Sequence, residues 1–183
     1  MEKILLKKYL IQFKPFLVFI GTFFFAYIVL TLVYKLYLNS FDTNDVDGVT
    51  NVVSRNVEQI MHLFNCDIKI QKSQFNPYLE VWYNREYTVR IVEGCNAVSV
   101  IVLFVSFVIA FSGKFKTTLL FILAGSLIIY ILNVVRIALL TVLLYRFPEQ
   151  VHILHGVLFP LVIYGLVFVL WIFWISKFSK YAK

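Results

Sequence analysis

Acidic residues are scarce in this chain: ten among 183 positions, against seventeen lysines and arginines. Seven of the ten, Asp42, Asp45, Asp47, Glu58, Asp67, Glu80 and Glu86, stand between residues 39 and 90. The sequence has no internal repeat and no low-complexity tract, which excludes solenoids and biased linkers. It also lacks a metal-ligand cluster, since the acids are scattered and His62, His152 and His155 form no recognisable site. No metal or other cofactor is therefore expected. Small-residue cleavage sites are missing behind the first apolar run, so that run is expected to stay as an anchor and not to leave as a signal peptide.

Apolar residues are abundant. They make up 61% of the chain and aromatics 18%, more than a soluble domain of this length buries. Residues 16–38, 97–111, 117–145 and 156–175 form four apolar runs, against the roughly 20 helical residues needed to cross a hydrocarbon core. The second run is short unless it begins near Cys95. The expected fold is an all-α integral membrane protein with about four transmembrane helices and a small α+β extracytoplasmic insertion between the first and second. In outline, residues 1–14 form a cytoplasmic N-terminus, 15–38 the first span, and 39–94 the outer loop. Residues 95–183 form the remaining membrane region and a cytoplasmic tail.

Orientation follows from the inside-positive bias of short flanking segments. Lys3, Lys7, Lys8 and Lys14 precede the first run, Lys114 and Lys116 lie between the second and third, and Lys177, Lys180 and Lys183 follow the fourth. These are placed inside and the acidic 39–90 stretch outside. The net charge of +7 then reads as topology and anionic-lipid contact. A nucleic-acid role is not expected, because the bases are divided among short membrane-flanking pieces.

The outer loop opens with the turn-rich Asp42, Asn44, Asp45, Asp47 and Gly48. Val53, Val57, Ile60, Met61 and Phe64 recur at helical spacing and predict a short amphipathic helix. Beyond Cys66 the pattern alternates: Ile68 and Ile70, then Leu79, Val81 and Tyr83, then Tyr87, Val89 and Ile91. Two strands around Asn84 and Arg85 predict a hairpin that leads into Glu93, Gly94 and Cys95.

Three polar side chains map to one outer edge on this topology. Cys95 begins the second helix. Arg136 lies roughly 29 Å along the third, counted from Thr117, and that helix must then project, tilt or break near Asn133. His155 begins the fourth. Each has an ordinary reading: a small buried thiol, a snorkelling anchor, an interfacial imidazole. Arg136 is the hardest to dismiss, since a guanidinium in an apolar stretch costs roughly 2.5 to 3.5 kcal/mol on the insertion scale. A thiol near a helix N-terminus and a fixed cation gains reactive thiolate character. A Cys66–Cys95 disulfide is the competing use of the cysteine in an oxidising exterior.

Local sequence supplies a resemblance. Glu93-Gly94-Cys95-Asn96-Ala97 resembles the acid-small-Cys-small box of the exosortase and archaeosortase family, and Asn133-Val134-Val135-Arg136-Ile137 looks like its Asn-x-x-Arg-aliphatic motif. The block from His155 through Phe159 and Pro160 to Tyr164 and Gly165, with Trp171 and Trp174, is similar to the final block of the short F-type exosortases of Gram-negative bacteria. The chain departs from that pattern in reading Cys-Asn-Ala where many members have Cys-Ser-Gly, and in being shorter than eight-span members. His152 competes with His155 for the histidine role.

The resemblance implies a membrane cysteine transpeptidase at the outer, periplasmic face of a bacterial inner membrane. Its substrates would be membrane-anchored proteins ending in a sorting motif, an apolar helix and a basic tail, with an accessory membrane protein as a further possible partner. Cys95 would be the nucleophile, Arg136 the electrostatic stabiliser and His155 the general acid and base. In supporting places, Glu93 would orient His155 or Arg136 or be a solvated strand-end carboxylate. Asn133 would position a carbonyl or satisfy a helix contact. Two other classes stand beside this one: a non-catalytic scaffold of an export system, and a small transporter or channel subunit. The second and fourth helices offer almost no polar residues along their depth for a transport path.

Overall fold

A computed structural model describes residues 12–42, 45–74, 76–111 and 113–178. Lys3, Lys7, Lys8, Asn44, Lys180 and Lys183, used above for orientation and turn propensity, lie outside the described residues. The element order is helix α1 (Lys14–Leu38), helix α2 (Gly48–Leu63), strands β1 (Ile68–Lys72), β2 (Leu79–Tyr83) and β3 (Glu86–Ile91), then helices α3 (Val98–Ala110), α4 (Phe115–Arg146) and α5 (Phe159–Lys177). Short 3-10, α and π turns between Pro148 and Leu158 run into α5, so that Pro148–Lys177 is one helical rod of 30 residues.

Among the described residues three helices are long and apolar enough to cross a membrane: Lys14–Leu38, Phe115–Arg146 and Pro148–Lys177. The second run, 97–111, forms a helix of only 13 residues, α3. At 1.5 Å per residue it is about 20 Å long, short of a hydrocarbon core of about 30 Å. The chain is thus mostly helical with three membrane-length helices, one shorter apolar helix and a small sheet. Helix α1 has Pro15 in its first turn, where the missing N–H costs nothing. Of its side chains only Ala26 is buried, while Phe24, Phe25, Leu32, Val33 and Leu36 are exposed, as suits a lipid-facing helix.

The third run is one unbroken helix of 32 residues, α4. About 32 Å separate its start from Arg136, which uses up the hydrocarbon thickness, and the remaining turns have another task. Val134, Ile137 and Ala138 of α4 join a core with Val53, Val57 and Met61 of α2 and with Ile68, Leu79, Val81 and Ile91 of the sheet. Beyond them Tyr145 meets Tyr83 edge to face, ring centroids 5.1 Å apart. The C-terminal end of α4 is therefore the support on which α2 and the sheet are built.

The sheet has antiparallel order β1-β2-β3, so Ile68 and Ile70 belong to a third strand beside the hairpin. Asn84 and Arg85 both have positive φ, 51° and 68°, the double left-handed turn whose twist matches two paired strands. In α2, Val53, Val57 and Met61 follow one another at four-residue steps and are buried, whereas Phe64 is exposed. The amphipathic face is thus spent on protein, and Phe64 falls beyond the helix end.

The opposite end of the bundle is aromatic and basic. Phe19 of α1 lies 4.3 Å, ring to ring, from Phe111, Phe107 stacks on Trp171 at 4.1 Å, and the buried Trp174 donates its indole N–H to the Phe111 carbonyl at 3.0 Å. That bond satisfies a carbonyl which the end of α3 leaves open. These contacts gather Lys14, Lys114, Lys116 and Lys177 at the end away from the sheet.

Candidate active site

Strand β3 delivers the chain into a single 3-10 turn, Glu93–Cys95, closed by Cys95 N–H donating to Val92 at 2.8 Å. Ala97 then adopts φ 66° and ψ 0°, a left-handed conformation, before α3 begins. For a residue with a Cβ this costs roughly 1–2 kcal/mol, so surrounding contacts must hold it. Asn96 supplies them. It is 2% exposed; its side-chain oxygen accepts the Val98 N–H at 3.0 Å, and its amide donates to the Tyr34 hydroxyl at 2.7 Å and to Thr50 Oγ1 at 3.1 Å.

From the other side comes α4. Asn133, 1% exposed, donates Nδ2–H to the Cys95 carbonyl at 2.7 Å, and its Oδ1 accepts from Arg136 Nη1 at 3.4 Å, a long and weak bond. One helical turn separates the two residues, so both project from the same face. Arg136 is partly buried, and its Nε has no hydrogen-bond partner among the described residues. A guanidinium held beside apolar surface with a donor unused favours an anion placed within its reach.

His155 lies within a π-helical segment, Leu154–Leu158. Such wide turns occur mostly as single bulges and frequently at functional sites. The segment is fixed by Leu154 and Phe159, which pack on Leu140 and Leu144 one and two turns beyond Arg136. His155 and, one turn earlier, His152 are both exposed, and His152 lies alongside Gly156, its Nδ1 3.9 Å from where a β-carbon there would sit. Among the described residues no hydrogen bond joins the Cys95 thiol to Arg136 or His155.

The structure brings Cys95, Asn133 and Arg136 into one chain of contacts, and it sets His155 on a segment packed against α4 one and two turns beyond Arg136. Glu93 is exposed, and among the described residues it makes no ion pair with Arg136 or His155. Cys66 and Cys95 are both free thiols, with no disulfide between them. A cavity of about 710 Å³ opens beside the turn, lined by Asp42, Asp45, Asp47, Tyr78, Glu93 and Gly94 among others. Among the described residues no three of His, Cys, Asp and Glu gather as metal ligands would.

Sequence reasoning missed Tyr34, Thr50 and the weight of Asn96. One signal was present: Asp47 followed by Thr50 is a helix-start pattern. Asp47 indeed accepts the Val49 and Thr50 N–H groups at 2.9 and 3.0 Å. Nothing local marks Tyr34 or Asn96, whose pairing spans 62 residues.

Compared with known proteins, residues 13–174 match the family model described as transmembrane exosortase. No curated protein and no solved structure matches the chain.

Proposed function

The chain belongs to the transmembrane exosortase family, a family of membrane peptidases and transpeptidases, and on that premise we propose that it cleaves C-terminal sorting signals through a Cys95 thioester. The observation that carries this reading is the Asn133 side chain, bonded on one side to the Cys95 carbonyl and on the other to Arg136. It joins two motifs that the sequence keeps far apart.

In this mechanism the Cys95 thiolate attacks the scissile carbonyl, having given its proton to His155. The fixed charge of the Arg136 guanidinium stabilises the oxyanion as it develops, in surroundings where water is partly excluded and electrostatics act strongly. His155 returns the proton to the leaving amine, and the acyl group stays on sulfur as a thioester until water or an amine resolves it. One difficult acyl transfer becomes two easier ones. The cavity beside Glu93 and Gly94 is the concave surface available for the residues flanking the cleaved bond.

In the arrangement proposed, α3 serves as the fourth pass, the basic end faces the cytoplasm, and Cys95 faces the periplasm of a bacterial inner membrane. A substrate anchored by its own helix presents its cleavage point at fixed depth, and its basic tail stays inside. The chain fits the short F-type exosortases on its His155 block.

The test is processing of host proteins that end in a motif, an apolar helix and a basic tail. Cys95→Ala is expected to leave them full length and membrane-retained, and Arg136→Lys to do nearly the same, because the planar fork is lost while the charge stays. Normal processing by a stably inserted Cys95→Ala protein would overturn the assignment in favour of a scaffold role.

A further inference from the structure

We propose that Asn96 is a positioning residue for the nucleophile, and that it acts by holding Ala97 in its left-handed conformation. The inference rests on the transpeptidase reading of Cys95, although the hydrogen bonds behind it do not. Asn96 follows Cys95 directly, so rotation of the backbone at 96 or 97 moves the thiol.

The orientation of the amide is fixed by its neighbours. The Thr50 hydroxyl gives its proton to the Asp47 carboxylate, while the other Asp47 oxygen accepts the Val49 and Thr50 N–H groups. The Thr50 oxygen is left with acceptor capacity alone, so Asn96 must donate to it. The same NH₂ donates to Tyr34, and the amide oxygen is left for Val98 N–H. Both sides of the amide are used, and each partner comes from a different helix: α1, α2 and α3.

Two amides thus grip consecutive residues from opposite directions. Asn133 on α4 holds the carbonyl of Cys95, and Asn96 ties the next residue to α1 and α2. Between these grips and α3 lies the strained φ of Ala97. A fully bonded buried network is stiff and fixes one geometry. Without it, Ala97 relaxes toward negative φ and Cys95 swings off the line of attack. Glycine adopts the left-handed region without that penalty, so the geometry of Ala97 and the clamp of Asn96 form one device.

The test uses the full-length protein in membranes. Asn96→Ala is expected to lower kcat for cleavage of a native sorting signal by about 10-fold to 100-fold, the range for a misplacement near 1 Å, with KM changed by no more than about twofold. Adding Ala97→Gly is expected to restore most of that kcat, although the bonds to Tyr34 and Thr50 stay broken. In a Cys66→Ala background, alkylation of Cys95 by a membrane-impermeant maleimide reports the same geometry with no substrate present. Its rate is expected to change in Asn96→Ala and to return in the double variant.

Unchanged kcat and alkylation in Asn96→Ala would overturn the proposal. So would a loss that Ala97→Gly does not recover, because Asn96 would then act only by joining helices. If Asn96→Ala does not insert, Tyr34→Phe removes a single acceptor: a fall in kcat at constant KM supports the proposal, and full activity overturns it. Alkylation needs no substrate, so failure here is distinct from failure of the transpeptidase reading, which shows as normal processing by Cys95→Ala.

Discussion

Asn133 donates its side-chain amide to the carbonyl of Cys95 at 2.7 Å across 38 residues of sequence. This bond fixes the height at which the outer end of α4 meets the cysteine turn, and it sets Arg136 one helical turn further out.

Asn133→Ala removes that bond and strands a buried carbonyl, at a cost of about 1–3 kcal/mol. The expected outcome is a fall in sorting-signal cleavage of about 10-fold or more, one decade for each 1.4 kcal/mol. Asn133→Asp keeps an acceptor for Arg136 but loses the donor to Cys95, and is expected to lie near the alanine variant. Cleavage rates normalised to the amount of inserted protein check both.

The two histidines separate cleanly by substitution. His155→Ala is expected to lower cleavage by about 100-fold to 10,000-fold, the usual worth of a positioned acid and base. His152→Ala is expected to retain activity within a few-fold, since it stands one turn before the π-helical segment that carries His155 and that Leu154 and Phe159 fix against α4. Equal losses in both variants would remove the distinction drawn between them.

Gly125 is a packing requirement of α4. A β-carbon there would stand 2.3 Å from Cζ of the fully buried Phe104, so a ring on α3 would have to move. Gly125→Ala is expected to lower stability by about 1–3 kcal/mol, and Phe104→Leu in the same protein to recover part of it. Thermal unfolding in detergent measures both.

Tyr83, on β2 and outside the membrane helices, ionises above the ordinary tyrosine range, because burial and then the neighbouring Cys66 disfavour its phenolate. A raised folded-state value means that the stabilising contribution is fully present below the unfolded value of about 10 and is lost as pH rises through the folded one. Tyr83→Phe should therefore flatten the loss of stability at alkaline pH and leave neutral pH nearly unchanged. Unfolding followed across pH 8 to about 12 reads this directly.

Much of the architecture was legible because hydropathy and periodicity are local properties. The runs at 16–38 and 117–145 correspond to α1 and α4, and the spacing of Val53, Val57 and Met61 corresponds to the buried face of α2. What the sequence did not disclose was how α4 ends. Its apolar run past Arg136 looked excessive for a membrane, and the structure explains the excess: Ile137 and Ala138 are buried by α2 and the sheet, not by lipid. The site divided in the same way. Cys95, Asn133 and Arg136 stood in recognisable motifs, whereas the Tyr34, Thr50 and Asn96 contacts join three distant segments, and such pairing leaves no periodic trace.

The length of α3 carries a consequence for the lipid. In the four-pass arrangement, a rod of about 20 Å stands in a hydrocarbon layer of about 30 Å, and such a mismatch is met by thinning the bilayer around it. In that arrangement the thinned rim would adjoin Cys95, and a guest helix too short for the bulk bilayer would lose its own mismatch by moving into it, so the bilayer itself would sort short anchors toward the cysteine turn before any side chain recognised them.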